Sequence, residues 1–151
     1  MEKVAVFPGS FDPITKGHES IIKRASSLFD KIVVAIGVNS SKKYMFSIEE
    51  RIRFCEATFN ESNISIDTYE GLTIDYCSNI GARYLLRGLR TSADFEYESG
   101  IAQMNKAMKS ETETIFMLTP PELSAISSTI VRDILKNGGD VSQFIPSGIK
   151  L

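Results

Sequence analysis

Apolar positions along this chain follow two rhythms. Short runs at Val4 to Phe7, Ile32 to Val38, Ile64 to Tyr69, Tyr84 to Leu86 and Thr114 to Leu118 read as strands. Ile32-Val33-Val34-Ala35-Ile36 has no polar interruption, the pattern of a strand covered on both faces. Between the runs the spacing becomes helical. Ile21, Ile22, Ala25, Leu28 and Phe29 share one face, with Lys23, Arg24 and Ser27 on the other. Ser47 and Glu50 form a capping-box pattern that opens a helix through Arg53 and Ala57. A third helix is expected from Thr73 to Ile80. The fourth is expected from about Ala93 to Met108, with Tyr97, Ile101, Met104 and Met108 as its buried stripe. Ser127 or Ser128 caps a fifth that ends near Gly138-Gly139.

Strand and helix alternate throughout, which implies a parallel sheet with right-handed crossovers. The expectation is α/β: one three-layer domain over residues 1–151, with a five-stranded parallel sheet flanked by helices. No repeat, low-complexity tract or linker divides it, and Pro120-Pro121 reads as an internal loop. Ligands of such sheets bind beyond the carboxyl ends of the strands.

Composition changes this picture little. Of 151 residues 42% are hydrophobic and 24% charged, and the formal net charge is −2, so nothing suggests nonspecific nucleic-acid binding. No apolar run is long enough to span a membrane, and no basic segment followed by a long apolar stretch marks a secretory leader. Cys55 and Cys77 are widely separated and lack neighbouring metal ligands, as expected of two reduced structural thiols in a cytoplasmic protein.

The chemistry is concentrated in Phe7-Pro8-Gly9-Ser10-Phe11-Asp12-Pro13-Ile14-Thr15-Lys16-Gly17-His18. A strand feeding a glycine-containing loop and then a helix builds a phosphate site. Glycine permits close backbone approach, and the helix's first N–H groups point outward. His18, the only histidine, closes the loop. This segment resembles the signature of the nucleotidyltransferase superfamily, with its Rossmann-like core and (His/Thr)-x-Gly-His motif. The motifs Ser40-Ser41-Lys42-Lys43, Leu86-Arg87-Gly88-Leu89-Arg90, Asp94-Phe95-Glu96-Tyr97-Glu98 and Ile126-Ser127-Ser128-Thr129 narrow the resemblance. In order and spacing they are similar to those of the bacterial phosphopantetheine adenylyltransferase family, over essentially the whole chain.

That resemblance implies transfer of an adenylyl group from ATP to 4′-phosphopantetheine. The acceptor phosphate is ionised at neutral pH, so positioning and electrostatics can carry catalysis without a strong base. It implies catalytic roles for His18, Ser10, Lys42 and Arg90. ATP contacts are expected from Ser10, Phe11, His18, Gly88, Leu89, Arg90, Glu98 and the run Leu123, Ser124, Ala125, Ile126, Ser127, Ser128 and Thr129. Phosphopantetheine contacts are expected from Ser10, Lys42, Thr73 and Arg87. Serine at position 10, where the family commonly has threonine, keeps the hydroxyl, while Leu123 replaces a frequent aromatic. Thr15 serves equally well as a plain helix cap. Mg²⁺ is expected with ATP, without a dedicated carboxylate cage, and Asp12 is read as fixing the turn. The resemblance further implies a homohexamer built as a dimer of trimers, and coenzyme A as a feedback ligand. Two alternatives remain at this level: a nucleotidyltransferase with another acceptor, such as nicotinamide mononucleotide, and a nucleotide-binding regulatory module without catalysis.

Overall fold

The computed structural model describes residues 1–151. Five strands, β1 (Val4–Gly9), β2 (Lys31–Gly37), β3 (Ile64–Tyr69), β4 (Tyr84–Leu89) and β5 (Glu113–Leu118), form one parallel sheet in the order β3-β2-β1-β4-β5. The helices are α1 (Lys16–Ala25), α2 (Ile48–Thr58), α3 (Thr73–Ile80), α4 (Ser92–Met108) and α5 (Ser128–Lys136). The order reverses direction at β1, which makes the crevice between β1 and β4 the topological switch point.

Period-two alternation divides the core between the two faces of the sheet. Ala5, Phe7, Ile32, Val34, Ile36 and Leu86 pack against α1, α2, α5 and the C-terminal segment through Ile21, Ile22, Phe54, Val131 and Ile145. Val4, Val6, Val33, Ala35 and Leu85 pack on the other face with Ile74 and Cys77 of α3. Both faces of β2 are thus covered, as its unbroken apolar run requires.

Caps act where the sequence places them. Ser47 and Glu50 make the reciprocal box at the start of α2. Between the two candidate caps for α5, Ser127 is the one whose side chain accepts the Ile130 N–H. Gly81 ends α3 in the left-handed conformation at φ 73°.

Three expectations need correction. Helix α1 ends at Ala25, so Leu28 lies outside it and is exposed. β4 runs on to Leu89, which places Arg87, Gly88 and Leu89 inside the strand instead of after it. The stripe Tyr97, Ile101, Met104 and Met108 is exposed; the only buried residue of α4 is Glu98. Helical spacing reveals a shared face, but not whether the single chain supplies anything to cover it.

Candidate functional site

The site originates in an interrupted ladder. β1 pairs with β2 along its whole length, through Gly9↔Ile36, but with β4 only at Ala5↔Tyr84 and Val6↔Leu85. Beyond that point β4 remains paired to β5 as far as Leu89↔Leu118, and a gap opens between β1 and β4. Pro8 sits in this gap and has no amide hydrogen to leave unpaired. Its carbonyl accepts from Arg87 Nη1 at 2.8 Å, so a side chain spans the space where the backbone ladder stops.

Arg87 is held from the opposite side by Glu98 of α4. Its Nε donates to both carboxylate oxygens at 3.0 and 3.2 Å, and its Nη2 pairs with Glu98 Oε1. Two cavities open on either side of this ion pair, and both are lined by Pro8, Gly9, Arg87 and Glu98.

The first cavity, about 270 Å³, lies over the N-termini of α1 and α5 and takes in His18, Arg90, Asp94, Thr119, Ser127 and Ser128. Thr15 caps α1 in a reciprocal box with His18: the Thr15 hydroxyl accepts from the His18 N–H, and His18 Nδ1 accepts from the Thr15 N–H at 3.0 Å. That second bond fixes the tautomer. A ring nitrogen that accepts from a backbone amide carries no proton, so the hydrogen of the neutral ring sits on Nε2, the nitrogen without a protein partner. Burial, reinforced by the positive charges of Arg87 and Arg90, lowers the His18 pKa from 6.5 to about 4. At neutral pH His18 is therefore an uncharged Nε2–H donor. The cap thus occupies Nδ1 and leaves the Nε2–H directed away from the helix backbone bonds.

The Gly17 N–H makes no hydrogen bond within the chain, nor do the first two amides of α5, at Ser128 and Thr129. Gly17 and Ser128 line the first cavity, which thus has open helix N-termini on two sides, an arrangement suited to oxyanions. Arg90 adds a guanidinium oriented by Asp94, which accepts from its N–H at 2.9 Å and its Nε at 3.3 Å. Gly88 lets β4 pack closely on α1. A Cβ there would lie 3.1 Å from Cγ1 of Ile21, in the helix that carries His18.

The second cavity, about 240 Å³, takes in Ser10, Tyr69, Thr73, Ile101, Ala102 and Asn105 beside the four shared residues. The Tyr69 and Thr73 hydroxyls lie 2.8 Å apart, which joins the end of β3 to the start of α3.

The expected site residues are thus largely brought together, in two groups. Ser10, Thr73 and Arg87 share one cavity; His18, Gly88, Arg90, Glu98, Ile126, Ser127 and Ser128 line the other. Phe11 lines neither. It is buried with its backbone at φ 49°, a strained position for a bulky residue, and its ring packs 5.0 Å from the imidazole of His18. Leu89 is buried in β4, and Leu123, Ser124, Ala125 and Thr129 line neither cavity. Lys42 is exposed on the loop after β2, with its ammonium 5.9 Å from the Tyr44 ring. Asp12 is spent on structure: its carboxylate accepts from the Met45 and Phe46 N–H groups, each at 2.9 Å. Sequence reasoning missed Tyr69, Asn105, Asp94, Gly17 and Thr119 as lining residues. Only Asp94 and Gly17 lay within motifs that could have signalled them.

The geometry has counterparts among known proteins. A family model described as cytidylyltransferase-like matches residues 6–134. A phosphopantetheine adenylyltransferase of Flavobacterium psychrophilum is 55% identical over 148 residues, covering 97% of each chain. One from Leptospira biflexa is 47% identical over 147 residues, covering 97% of this chain and 92% of its own. This chain belongs to the phosphopantetheine adenylyltransferase family. Membership of that family makes it a nucleotidyltransferase. The fold also superposes on a bifunctional NMN adenylyltransferase/ADP ribose pyrophosphatase from Francisella tularensis, with a TM-score of 0.76 at 18% identity over 99% of this chain and 46% of that one. At that identity the likeness is one of fold.

Proposed function

We propose that this chain transfers the adenylyl group of ATP to 4′-phosphopantetheine, forming dephospho-coenzyme A and pyrophosphate. The observation that carries this reading is the pair of cavities meeting at Arg87 and Glu98. ATP occupies the cavity with His18, Arg90, Ser127 and Ser128; phosphopantetheine occupies the one with Ser10, Thr73 and Arg87. The acceptor phosphate then meets the α-phosphorus of ATP near Pro8 and Gly9, where both cavities touch the backbone.

Each side chain does work its placement supports. Arg87, already oriented by Glu98 and Pro8, offers its remaining N–H groups to the acceptor phosphate. His18 donates from Nε2 to an oxygen of the reacting α-phosphate, so no proton need be taken up first. Arg90 and the open amides of α1 and α5 bind the phosphates that leave as pyrophosphate. As the acceptor oxygen bonds to phosphorus and the bond to pyrophosphate breaks, these fixed donors stabilise the charge on the equatorial oxygens. Lys42 reaches the acceptor phosphate from its exposed loop. Glu98 acts on the nucleotide from the shared wall while it holds Arg87.

Mg²⁺ would be held chiefly by the phosphates of ATP and by water, and would screen their charge. The Asp12 oxygens are already taken by two amides, and no group of three His, Cys, Asp or Glu side chains stands ready as a cage. The 151 residues act as one domain in the cytoplasm, as a homohexamer built as a dimer of trimers, and coenzyme A acts as feedback ligand. The exposed stripe of α4 supports assembly, and no helix is long and apolar enough to cross a membrane.

The test is pyrophosphate release with ATP, Mg²⁺ and 4′-phosphopantetheine, with nicotinamide mononucleotide as control acceptor. Release that requires phosphopantetheine, with dephospho-coenzyme A in equal amount, is the expected result. Release with nicotinamide mononucleotide but not with phosphopantetheine, or no release with either acceptor, overturns it.

A further inference from the structure

Arg51 of α2 is only 2% exposed, yet no carboxylate lies within ion-pair distance of it. Its Nη1 donates to the Ser10 carbonyl at 2.8 Å and to the Gly37 carbonyl at 3.2 Å, tying the loop after β1 to the end of β2. Its Nε is buried without a partner. The guanidinium carbon lies over the Tyr44 ring, 3.9 Å from the centroid. Leaving a buried cation with carbonyls and an aromatic face alone is costly, so simple packing does not account for it.

Tyr44 leads outward from this cation. Its hydroxyl accepts from the Asn39 N–H at 3.1 Å, which closes the turn around Lys42, and its ring is also the one nearest the Lys42 ammonium. The next two residues, Met45 and Phe46, are held by Asp12. The loop that bears Lys42 is therefore fixed to the phosphate loop at two points, neither of which uses Lys42 itself. The Lys42 ammonium forms no ion pair, and its base is held at both points.

We infer that Arg51 and Tyr44 are positioning residues for the acceptor: Arg51 sets the Ser10 loop, and the Tyr44 ring, seated on Arg51, sets the base from which Lys42 reaches the acceptor phosphate. The ligand class is a phosphate monoester dianion, which a buried positive charge beneath Ser10 also favours. The inference rests on the proposed division of the two cavities. Neither residue lines either cavity, so both act through the groups they hold.

Tyr44→Leu tests it, because the ring lies on an outer loop and its loss spares the core. The variant is expected to raise KM for 4′-phosphopantetheine about tenfold as the Lys42 loop loses its seat. KM for ATP stays near wild type, and the melting temperature falls by only a few degrees, the cost of one cation–π contact within the folded chain. Tyr44→Phe, which keeps the ring, restores most of the acceptor affinity. Arg51→Lys, which keeps the charge but not the flat fork, resembles Tyr44→Leu. Amide exchange gives a readout independent of the substrate: Tyr44→Leu speeds exchange across residues 39–46 and leaves β1 and β2 protected. Equal changes in both KM values, or a Tyr44→Phe variant as impaired as Tyr44→Leu, overturn the inference. So does unchanged exchange in the loop, whatever reaction the wild type performs. Failure of the wild type to use phosphopantetheine, with the exchange result intact, overturns the acceptor assignment and leaves Tyr44 and Arg51 as the anchor of the loop.

Discussion

The two cavities beside Arg87 are similar in volume but differ in construction. The one containing His18 is built mainly from short contiguous stretches, with its donors at two helix N-termini and at the end of β4. Within each stretch the geometry is set by bonds spanning three or four residues: Thr15 with His18, Ser127 with Ile130, Arg90 with Asp94. The cavity containing Ser10 draws on six elements, β1, β3, α3, β4, α4 and β5, and its α4 wall is set by how that helix packs across the sheet. Locally determined geometry survives small shifts between elements, whereas geometry set by packing depends on all of them. The first cavity is therefore suited to hold the reacting phosphates rigidly, and the second to accept a longer, partly apolar acceptor.

Substitution should separate the two. His18→Ala removes a fixed donor from the first cavity and is expected to lower kcat roughly 10²- to 10³-fold with little change in KM, read by steady-state kinetics. Unchanged turnover would remove His18 from the chemistry. Glu98→Gln loosens the residue both cavities share, and KM for both substrates should rise about tenfold. A rise confined to one substrate would show that the pair serves one cavity alone. Lys42→Ala should raise KM for phosphopantetheine by up to about tenfold and leave ATP unaffected; the reverse pattern would exchange the assigned ligands. Thr73→Val, which removes a hydroxyl that lines the acceptor cavity and pairs with Tyr69, should cost a few-fold in acceptor KM, in keeping with about 1 kcal/mol for a single neutral hydrogen bond.

The smallest effect is spectroscopic. With one histidine in the chain, imidazole nitrogen resonances report on His18 alone. They should show the neutral Nε2–H form from pH 8 to pH 5, with a midpoint at about 4. The unfolded chain takes up this proton near 6.5, before the folded one does. Stability should therefore fall as pH drops from 6.5 towards 4 and owe nothing to His18 above that window. A midpoint near 6.5 would mean that His18 is solvated and not held by its cap.

Much of this was legible in the sequence because it is local. Strand positions, the start of α3, the Ser47 box and the clustering of hydroxyls at the start of α5 all follow from patterns within one turn or one strand. What escaped depended on neighbours distant in the chain. Arg51 reads as one more polar position on a surface helix, because its partners are carbonyls at residues 10 and 37, which carry no side-chain signature. The α4 stripe reads as core because periodicity records hydrophobicity without recording a partner. Tyr69 and Asn105 line one cavity only through the order of the strands and the crossing of α4.

The sequence alone determined the alternation of strands and helices, the phosphate loop with its single histidine, and the family signature. Each is written in residue type and short spacing, where sterics and capping act. Tertiary structure alone decided that β1 parts from β4 after Val6, that Arg87 bridges the opening, and that two cavities share its wall. It also decided which nitrogen of His18 carries the proton and how strongly that proton is held, because burial and the charges of Arg87 and Arg90 act through space and not along the chain.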